Sequence, residues 1–285
     1  MPTYSFRDNN TGEVEDKFMS ISRSEEYLQE NPHMVKIIRH APVFSYSTGS
    51  DGNILKNNTK PSKLRLEHLR LLEPLTSAQE TVFESYKAGQ HLCLSGSAGT
   101  GKTFMSLYLG LQEVLDKNSP YEKVIIVRSA VPTRDMGFLP GTQQEKEDAY
   151  TGPYKAIISD LFEDVGAWDK LVQFKTVEFL TTSFIRGLTI NNAIVIVDES
   201  QNCNYHELCS IITRIGQNCR FLMCGDYYQT DFKTNGDKNG ILDFIKIIDN
   251  MKYFDHIEFS WEDIVRSGFV RDFVMTKEMV ERGEL

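Results

Sequence analysis

Eight consecutive residues, 96–103, have the composition of a phosphate-binding loop. They read GSAGTGKT and match the pattern G-x-x-x-x-G-K-[S/T], in which glycines let backbone amides approach an anion closely. Lys102 is expected to reach the β- and γ-phosphates of a nucleotide, and the hydroxyl of Thr103 to ligate the accompanying Mg²⁺. A plain glycine-rich turn is the alternative, and the spacing favours phosphate binding. The residues predicted to contact the phosphates are Gly96, Ser97, Ala98, Gly99, Thr100, Gly101, Lys102 and Thr103.

Two carboxylates at the end of an apolar run could supply the chemistry that the loop lacks. Residues 193–197 (AIVIV) predict a buried strand, and Asp198 and Glu199 follow it directly. Asp198 is expected to hold the metal, directly or through water, and Glu199 to polarise the water that attacks the γ-phosphate. Gln201 is predicted to contact the nucleotide as well. Together with the loop, these residues indicate nucleotide hydrolysis.

A third strand-like run leads into another group of polar residues. Residues 220–224 are followed by Asp226, a predicted nucleotide contact, and by Gln229. The amide of Gln229 can donate to a phosphate oxygen and accept from water, so this residue is a candidate sensor of the γ-phosphate. An ordinary polar turn has the same composition.

A glutamine upstream of the loop is a candidate for base recognition. The side-chain amide of Gln79 suits the donor and acceptor edge of adenine. The same segment also predicts a helix start with Thr76 or Ser77 as N-cap, and both interpretations are compatible.

The elements that must position these residues alternate along the chain. Helical patterns follow from about residue 66 and are separated by short apolar runs, which predicts an α/β fold with a parallel sheet and helices on both faces. The phosphate loop lies between one such strand and the helical pattern of residues 104–115. The predicted strands are residues 91–94, 123–127, 176–180, 193–197, 220–224 and 256–259.

Composition limits the class of protein. The chain has 285 residues, of which 40% are hydrophobic, and it shows neither a long apolar run nor a secretory signal at its start. We therefore expect a cytoplasmic globular protein with free thiols, because its five cysteines form no C-x-x-C pair. The formal net charge of −9 argues against a nonspecific polycation that coats nucleic acid. A cluster of basic residues has two interpretations, a local track that binds nucleic acid or an ordinary solvated surface. Its members are Lys56, Lys60, Lys63, Arg65, Arg70, Arg128 and Arg134.

Three parts are predicted along the chain. Residues 45–62 are rich in Ser, Gly, Asn and Lys and predict a flexible linker. This linker would separate a small N-terminal segment, residues 1–44, from a nucleotide domain at residues 63–285.

The order of these motifs resembles the first motor domain of superfamily 1 helicases and, more narrowly, the PhoH-family ATPases. The resemblance extends from about residue 60 to the C-terminus, and one departure is Ser97, where the family often has proline. It depends on residues 75–79, 96–103, 137–141 (GFLPG), 184–187 (FIRG), 198–202, 208–216, 225–231 and 263–266 (DIVR).

What the resemblance implies is a RecA-like P-loop domain that binds and hydrolyses ATP with Mg²⁺ and assembles into a homo-oligomeric ring such as a hexamer. It also implies action on single-stranded RNA or DNA, with a nucleotide-dependent switch without unwinding as one alternative and a nuclease as a second. A second RecA-like domain is lacking, so an arginine from a neighbouring subunit is expected, with Arg266 the first candidate and Arg186 the second. A surface ion pair between Arg266 and Glu262 is the competing interpretation.

The N-terminus has a separate resemblance. Residues 1–7 (MPTYSFR) look like the opening of small FmdB-type zinc ribbons, but the four cysteine positions hold Asp8, Thr11, Asn31 and Met34. Without thiolates, and with only His33 and His40 nearby, no zinc is expected.

Overall fold

The computed structural model describes residues 3–8, 11, 14–18, 27, 30–37, 63–129, 143–227 and 235–285. The chain divides into two compact units, Met1–Thr59 and Lys60–Leu285. The predicted linker lies almost entirely in the first unit and outside the described residues, so its flexibility stays a prediction.

The first unit contains a three-stranded antiparallel sheet. Its strands are β1 (Thr3–Asp8), β2 (Val14–Phe18) and β3 (Met34–Ile37), in the order β2-β1-β3. The register pairs Asp8 with Met34, so two of the positions that hold cysteines in zinc ribbons lie opposite each other on neighbouring strands.

The second unit is built on a six-stranded sheet in which every pairing is parallel. Its strands are β4 (His91–Gly96), β5 (Lys123–Arg128), β6 (Val177–Thr181), β7 (Ala193–Val197), β8 (Cys219–Cys224) and β9 (Phe254–Phe259). Their order is β6-β5-β7-β8-β4-β9. The predicted α/β class, with a parallel sheet flanked by helices, is confirmed.

Helices connect these strands. They are α1 (Ser77–Lys87), α2 (Lys102–Leu115), α3 (Gln143–Phe162), α4 (Ala167–Gln173), α5 (Thr182–Ile185), α6 (Tyr205–Ile212), α7 (Asn235–Asp249) and α8 (Gly268–Arg282). Local sequence explains where two of these helices begin. The side chain of Thr76 caps α1 by accepting a hydrogen bond from the backbone N–H of Gln79, as predicted. Asn204 forms a capping box with Glu207 at the start of α6. In the described part of the chain, no helix is both long and apolar enough to cross a membrane.

The sheet is covered on both faces because its strands are apolar on both sides. All five residues of β7 are buried, and they alternate between two hydrophobic clusters. Ile194 and Ile196 join the cluster that includes α2, whereas Val195 and Val197 join the cluster that includes α6 and α7. A strand buried in this way can place a polar side chain rigidly at its carboxyl end.

Candidate nucleotide site

The phosphate loop leaves β4 in a conformation that only glycine adopts easily. Gly96 has a φ of +111°, and a Cβ atom there would lie 2.0 Å from the carbonyl oxygen of Phe259 on the neighbouring strand. At the other end Gly101, with a φ of +89°, is the N-cap of α2. The loop thus passes directly from a strand into a helix start, where free N–H groups can bind an anion.

Lys102 folds back over the loop. Its ammonium donates to the carbonyl oxygens of Gly96 at 2.8 Å and Ser97 at 2.7 Å, and to the hydroxyl of Thr100 at 3.3 Å. Burial lowers the pKa of Lys102. Cys224 and the carboxylates around the lysine have the opposite, smaller effect and raise that pKa. A cation held beside the loop by carbonyl groups could exchange those acceptors for phosphate oxygens.

Asp198 stands at the carboxyl end of β7 with a hydroxyl on each of its oxygens. Thr103 donates to Oδ1 at 2.7 Å, and Tyr154 of α3 donates to Oδ2 at 2.8 Å. The residue is only 5% exposed, and burial raises the pKa of Asp198, while both hydroxyls act to lower it. The two residues predicted to hold the metal therefore lie within hydrogen-bond distance of each other, and metal binding stays a prediction.

Glu199 adopts a left-handed conformation, with φ 50° and ψ 42°, which is uncommon for a residue with a side chain. Its carboxylate accepts a hydrogen bond from Gln201 Nε2 at 2.6 Å. Gln201 Oε1 in turn accepts from the backbone N–H of Asp226 at 3.1 Å. Gln201 thereby links the end of β7 to the segment after β8.

One cavity of about 710 Å³ brings most of the predicted site residues together. It opens between the phosphate loop, the ends of β5, β7 and β8, and the exposed side of α3. The predicted site residues that line this cavity are Ala98, Gly99, Thr100, Gly101, Lys102, Thr103, Asp198, Glu199, Gln201, Asp226 and Arg266.

Two predicted loop residues face elsewhere. Gly96 and Ser97 line a second cavity of about 470 Å³, with Trp261 and Arg282. The hydroxyl of Ser97 donates to the buried carboxylate of Glu278 in α8 at 3.0 Å. The Ser97 hydroxyl is therefore turned toward α8, and contact of the Gly96 and Ser97 backbone with phosphate stays a prediction.

Arg266 was predicted to complete the site of a neighbouring subunit, and that role stays a prediction. In the single chain it lines the cavity, where a Cβ on Gly99 would lie 3.0 Å from its Cγ. The Val265 N–H donates to the Gly99 carbonyl at 3.1 Å and fixes this segment against the loop. Within the described residues Arg266 forms no ion pair with Glu262, the competing interpretation. Arg186 is exposed after α5 and remains a candidate for a role between subunits.

Gln79 is buried beside the loop, with its amide engaged at both ends. Nε2 donates to the carbonyl of Thr100 at 3.0 Å, and Oε1 accepts from the N–H of Leu75 at 2.9 Å. Recognition of adenine would require these partners to be released, so the base contact stays a prediction. In this arrangement Gln79 braces the phosphate loop.

Two residues that contact the site were not predicted to belong to it. Arg128 lines the cavity at the end of β5, and its guanidinium lies 5.8 Å from the ring centroid of Tyr150. Its place at the end of a predicted strand was a usable signal, because parallel strands end at one edge. Tyr154 had no such signal. Gln229 and the GFLPG segment, residues 137–141, lie outside the described residues.

The oxygen ligands at this site suit Mg²⁺ that binds together with a nucleotide better than they suit a metal ion bound by protein side chains alone. Thr103 and Asp198 offer oxygen ligands, and among the described residues no group of three or more His, Cys, Asp or Glu side chains could hold a metal ion. Mg²⁺ is commonly held by one or two protein oxygens together with nucleotide phosphates and water.

Comparison with known proteins gives a family match over most of the chain. Residues 71–278 match the family model described as PhoH-like protein. A PhoH-like protein of Mycobacterium leprae is 26% identical over 249 residues, which cover 86% of this chain and 68% of the relative. A PhoH-like protein of Synechocystis is 33% identical over 190 residues, which cover 66% of this chain and 56% of the relative. Among solved structures, the Pyrococcus furiosus Hef helicase domain aligns with a TM-score of 0.38 and 10% identity, covering 65% of this chain and 38% of that one.

Proposed function

The chain belongs to the family of PhoH-like proteins, and from this premise we propose that it is a Mg²⁺-dependent ATPase. The observation that carries the proposal is that one cavity is lined by the phosphate loop and by Asp198 and Glu199. Phosphate binding, metal binding and activation of water are thereby available within one space. The chain spans about two thirds or less of the length of the relatives described above. The activity is therefore proposed for this chain and not for the full length of those relatives.

The loop and its helix would bind the triphosphate. The amides at the start of α2 and the ammonium of Lys102 present positive charge to the phosphate oxygens. Mg²⁺ held by Thr103, Asp198 and the phosphates would neutralise charge on the β- and γ-phosphate oxygens.

Glu199 is the proposed base. In hydrolysis a water oxygen attacks the γ-phosphorus, the bond from phosphorus to the β-γ bridging oxygen breaks, and the water proton passes to the carboxylate. Gln201 orients that carboxylate through its 2.6 Å hydrogen bond. The guanidinium groups of Arg128 and Arg266 line the same cavity and would stabilise charge on the transferring phosphoryl group.

Two variants test this proposal. Lys102→Ala should lower ATP affinity by about 100-fold, because one charge-assisted contact with the phosphates is removed. Glu199→Gln should leave ATP binding within about threefold and lower the hydrolysis rate by about 100-fold, because the amide cannot accept the proton. Binding is measured with a fluorescent ATP analogue and hydrolysis by phosphate release. The exposed Lys117→Ala and Glu284→Gln are matched controls, and undiminished hydrolysis in Glu199→Gln would remove the base assignment.

A second proposed function is action on single-stranded RNA or DNA. Phe184 in α5 and Leu188 after it are 50% and 43% exposed, on either side of Arg186, next to the end of the edge strand β6. Exposed aromatic rings stack with bases, and arginine binds the phosphate backbone. We expect ATP hydrolysis to rise with single-stranded nucleic acid, and Phe184→Ala to weaken its retention on filters at low salt. The matched control is Phe174→Ala. The side chain of Phe174 is 41% exposed and lies near the opposite end of β6.

The same assay separates the alternatives. Retention without stimulated hydrolysis favours a nucleotide-dependent switch, and cleavage of the strand without ATP favours a nuclease. No retention with an ATP analogue would contradict a role on nucleic acid. Assembly into a homo-oligomeric ring is likewise a proposal, which a mass measurement with and without nucleotide tests.

A further inference from the structure

Two tyrosines of α3 contact the ends of two neighbouring strands at the cavity. Tyr150 and Tyr154 lie one helical turn apart, on the same side of the helix. The ring of Tyr150 lies 5.8 Å from the guanidinium of Arg128 on β5, and the hydroxyl of Tyr154 lies 2.8 Å from Oδ2 of Asp198 after β7. Helix α3 is thus connected to a cation and to a carboxylate of the proposed site.

Tyr154 is more than a core aromatic residue. Its side chain is fully buried, with its ring 6.0 Å from that of Phe179, and this packing would serve a phenylalanine equally well. The hydroxyl is therefore the part that needs an explanation. That hydroxyl donates to Oδ2 of Asp198 at 2.8 Å.

The two side-chain hydrogen bonds of Asp198 have different roles at the proposed metal site. Among the described residues its side-chain donors are the hydroxyls of Thr103 and Tyr154. A threonine oxygen that ligates a cation through a lone pair can still donate its proton to a carboxylate, so Thr103 would serve the metal and Asp198 at once. Tyr154 donates to the other oxygen, Oδ2, and holds the carboxylate from the side of α3.

We propose that Tyr154 is a positioning residue of the magnesium site, whose hydroxyl holds Oδ2 of Asp198 so that Oδ1 stays beside Thr103. The inference rests on the proposed ATPase function, because it presumes Mg²⁺ at Thr103 and Asp198. Partners that orient a metal ligand typically affect metal affinity strongly without touching the metal.

The test measures Mg²⁺ binding by the full chain carrying Tyr154→Phe, which keeps the ring and removes the hydroxyl. Mg²⁺ is titrated calorimetrically into protein saturated with ADP, and its dissociation constant should rise about tenfold. ADP affinity in EDTA should stay within about twofold of the wild-type value, because the phosphate loop is unchanged. In hydrolysis the KM for Mg²⁺ should rise while kcat at saturating Mg²⁺ changes little.

Tyr108→Phe is the matched control. Tyr108 is also buried, and its hydroxyl accepts a hydrogen bond from the N–H of Leu72 at 3.3 Å. The control should lose stability without losing Mg²⁺ affinity. In an Asp198→Asn background, Tyr154→Phe should have no further effect on Mg²⁺ binding, because the residue acts through Asp198.

The outcomes separate this inference from the function on which it rests. Equal Mg²⁺ affinity in wild type and Tyr154→Phe overturns the positioning role and leaves the ATPase proposal standing. Equal losses of Mg²⁺ affinity and of ADP affinity in EDTA assign Tyr154 to packing alone and also overturn it. A wild-type protein that binds no nucleotide with Mg²⁺ contradicts both proposals.

A second measurement does not depend on the folding of Tyr154→Phe. Adding Mg²⁺ to the ADP complex should slow amide hydrogen exchange in α3 around Tyr154 in the wild type, but not in Asp198→Asn. Equal exchange in the two proteins would overturn the positioning role.

Discussion

Two buried carboxylates lie on opposite sides of the phosphate loop, and their hydrogen bonds differ. Asp198 is 5% exposed and accepts one hydroxyl on each oxygen, from Thr103 and Tyr154. Glu278 of α8 is 2% exposed, and in the described part of the chain its donors all bind Oε2, while Oε1 is buried without a hydrogen-bond partner. The donors to Glu278 are Ser97 at 3.0 Å, Trp261 at 2.6 Å and Arg282 at 3.2 Å.

The difference lies in how the negative charge is balanced. Glu278 has a guanidinium as a direct partner, so its charge is compensated within α8. Among the described residues the hydrogen-bond donors to Asp198 are neutral hydroxyls, and the positive charge of Arg128 acts on it without a hydrogen bond, so its oxygens stay available to a cation that binds in the cavity. We infer that Glu278 fastens the loop to α8 for stability, whereas Asp198 is kept for binding.

The largest effect expected from this comparison is on activity, through Asp198→Asn. The variant should lower the proposed Mg²⁺-dependent hydrolysis by about 100-fold or more, because the charged group proposed to bind the metal is replaced by a neutral amide. Its free energy of unfolding should stay within about 1 kcal/mol of wild type, because a buried charge with neutral partners adds little stability. Phosphate release and urea unfolding measure the two quantities. Mg²⁺ should raise the Tm of the wild-type ADP complex and not that of the variant.

Glu278→Ala should have the opposite profile. It leaves the buried donors of Ser97 and Trp261 without an acceptor, so the free energy of unfolding should fall by about 2 kcal/mol. The Mg²⁺ dependence of hydrolysis should not change. Glu278→Gln keeps an acceptor oxygen and is the matched control, with a loss of about 1 kcal/mol in urea unfolding. A stronger effect on Mg²⁺ affinity than on stability would break the comparison.

The smallest effect is expected for Arg282→Gln. Arg282 is the cation that compensates Glu278, and it also lies over the ring of Trp261 at 5.2 Å, but its side chain is 39% exposed. Solvent screens such a pair, so urea unfolding should show a loss of about 0.5 kcal/mol. A loss as large as that of Glu278→Ala would mean that the ion pair, and not the hydrogen bonds of Ser97 and Trp261, fastens the loop.

Local pattern predicted the sheet because each strand carries its own signal. The apolar run of residues 193–197 became β7, and residues 220–224 lie within β8. The contact between Thr103 and Asp198 was also predictable, since a phosphate loop and a carboxylate at a strand end meet at the same edge of a parallel sheet. Residues whose role depends on a long-range contact escaped prediction. Tyr154 is 44 positions from Asp198, and no periodicity indicates that its hydroxyl points toward the carboxylate.

Sequence alone therefore determined the chemical groups of the site and the fold class, since loop spacing and strand periodicity are local properties of the chain. Tertiary structure decided how those groups are used. It placed Arg266 beside its own phosphate loop and turned the Ser97 hydroxyl toward Glu278. It also gave Asp198 a donor on each oxygen. These contacts depend on how α3, α8 and the sheet pack together, and side-chain direction across packed elements is not encoded in any single segment.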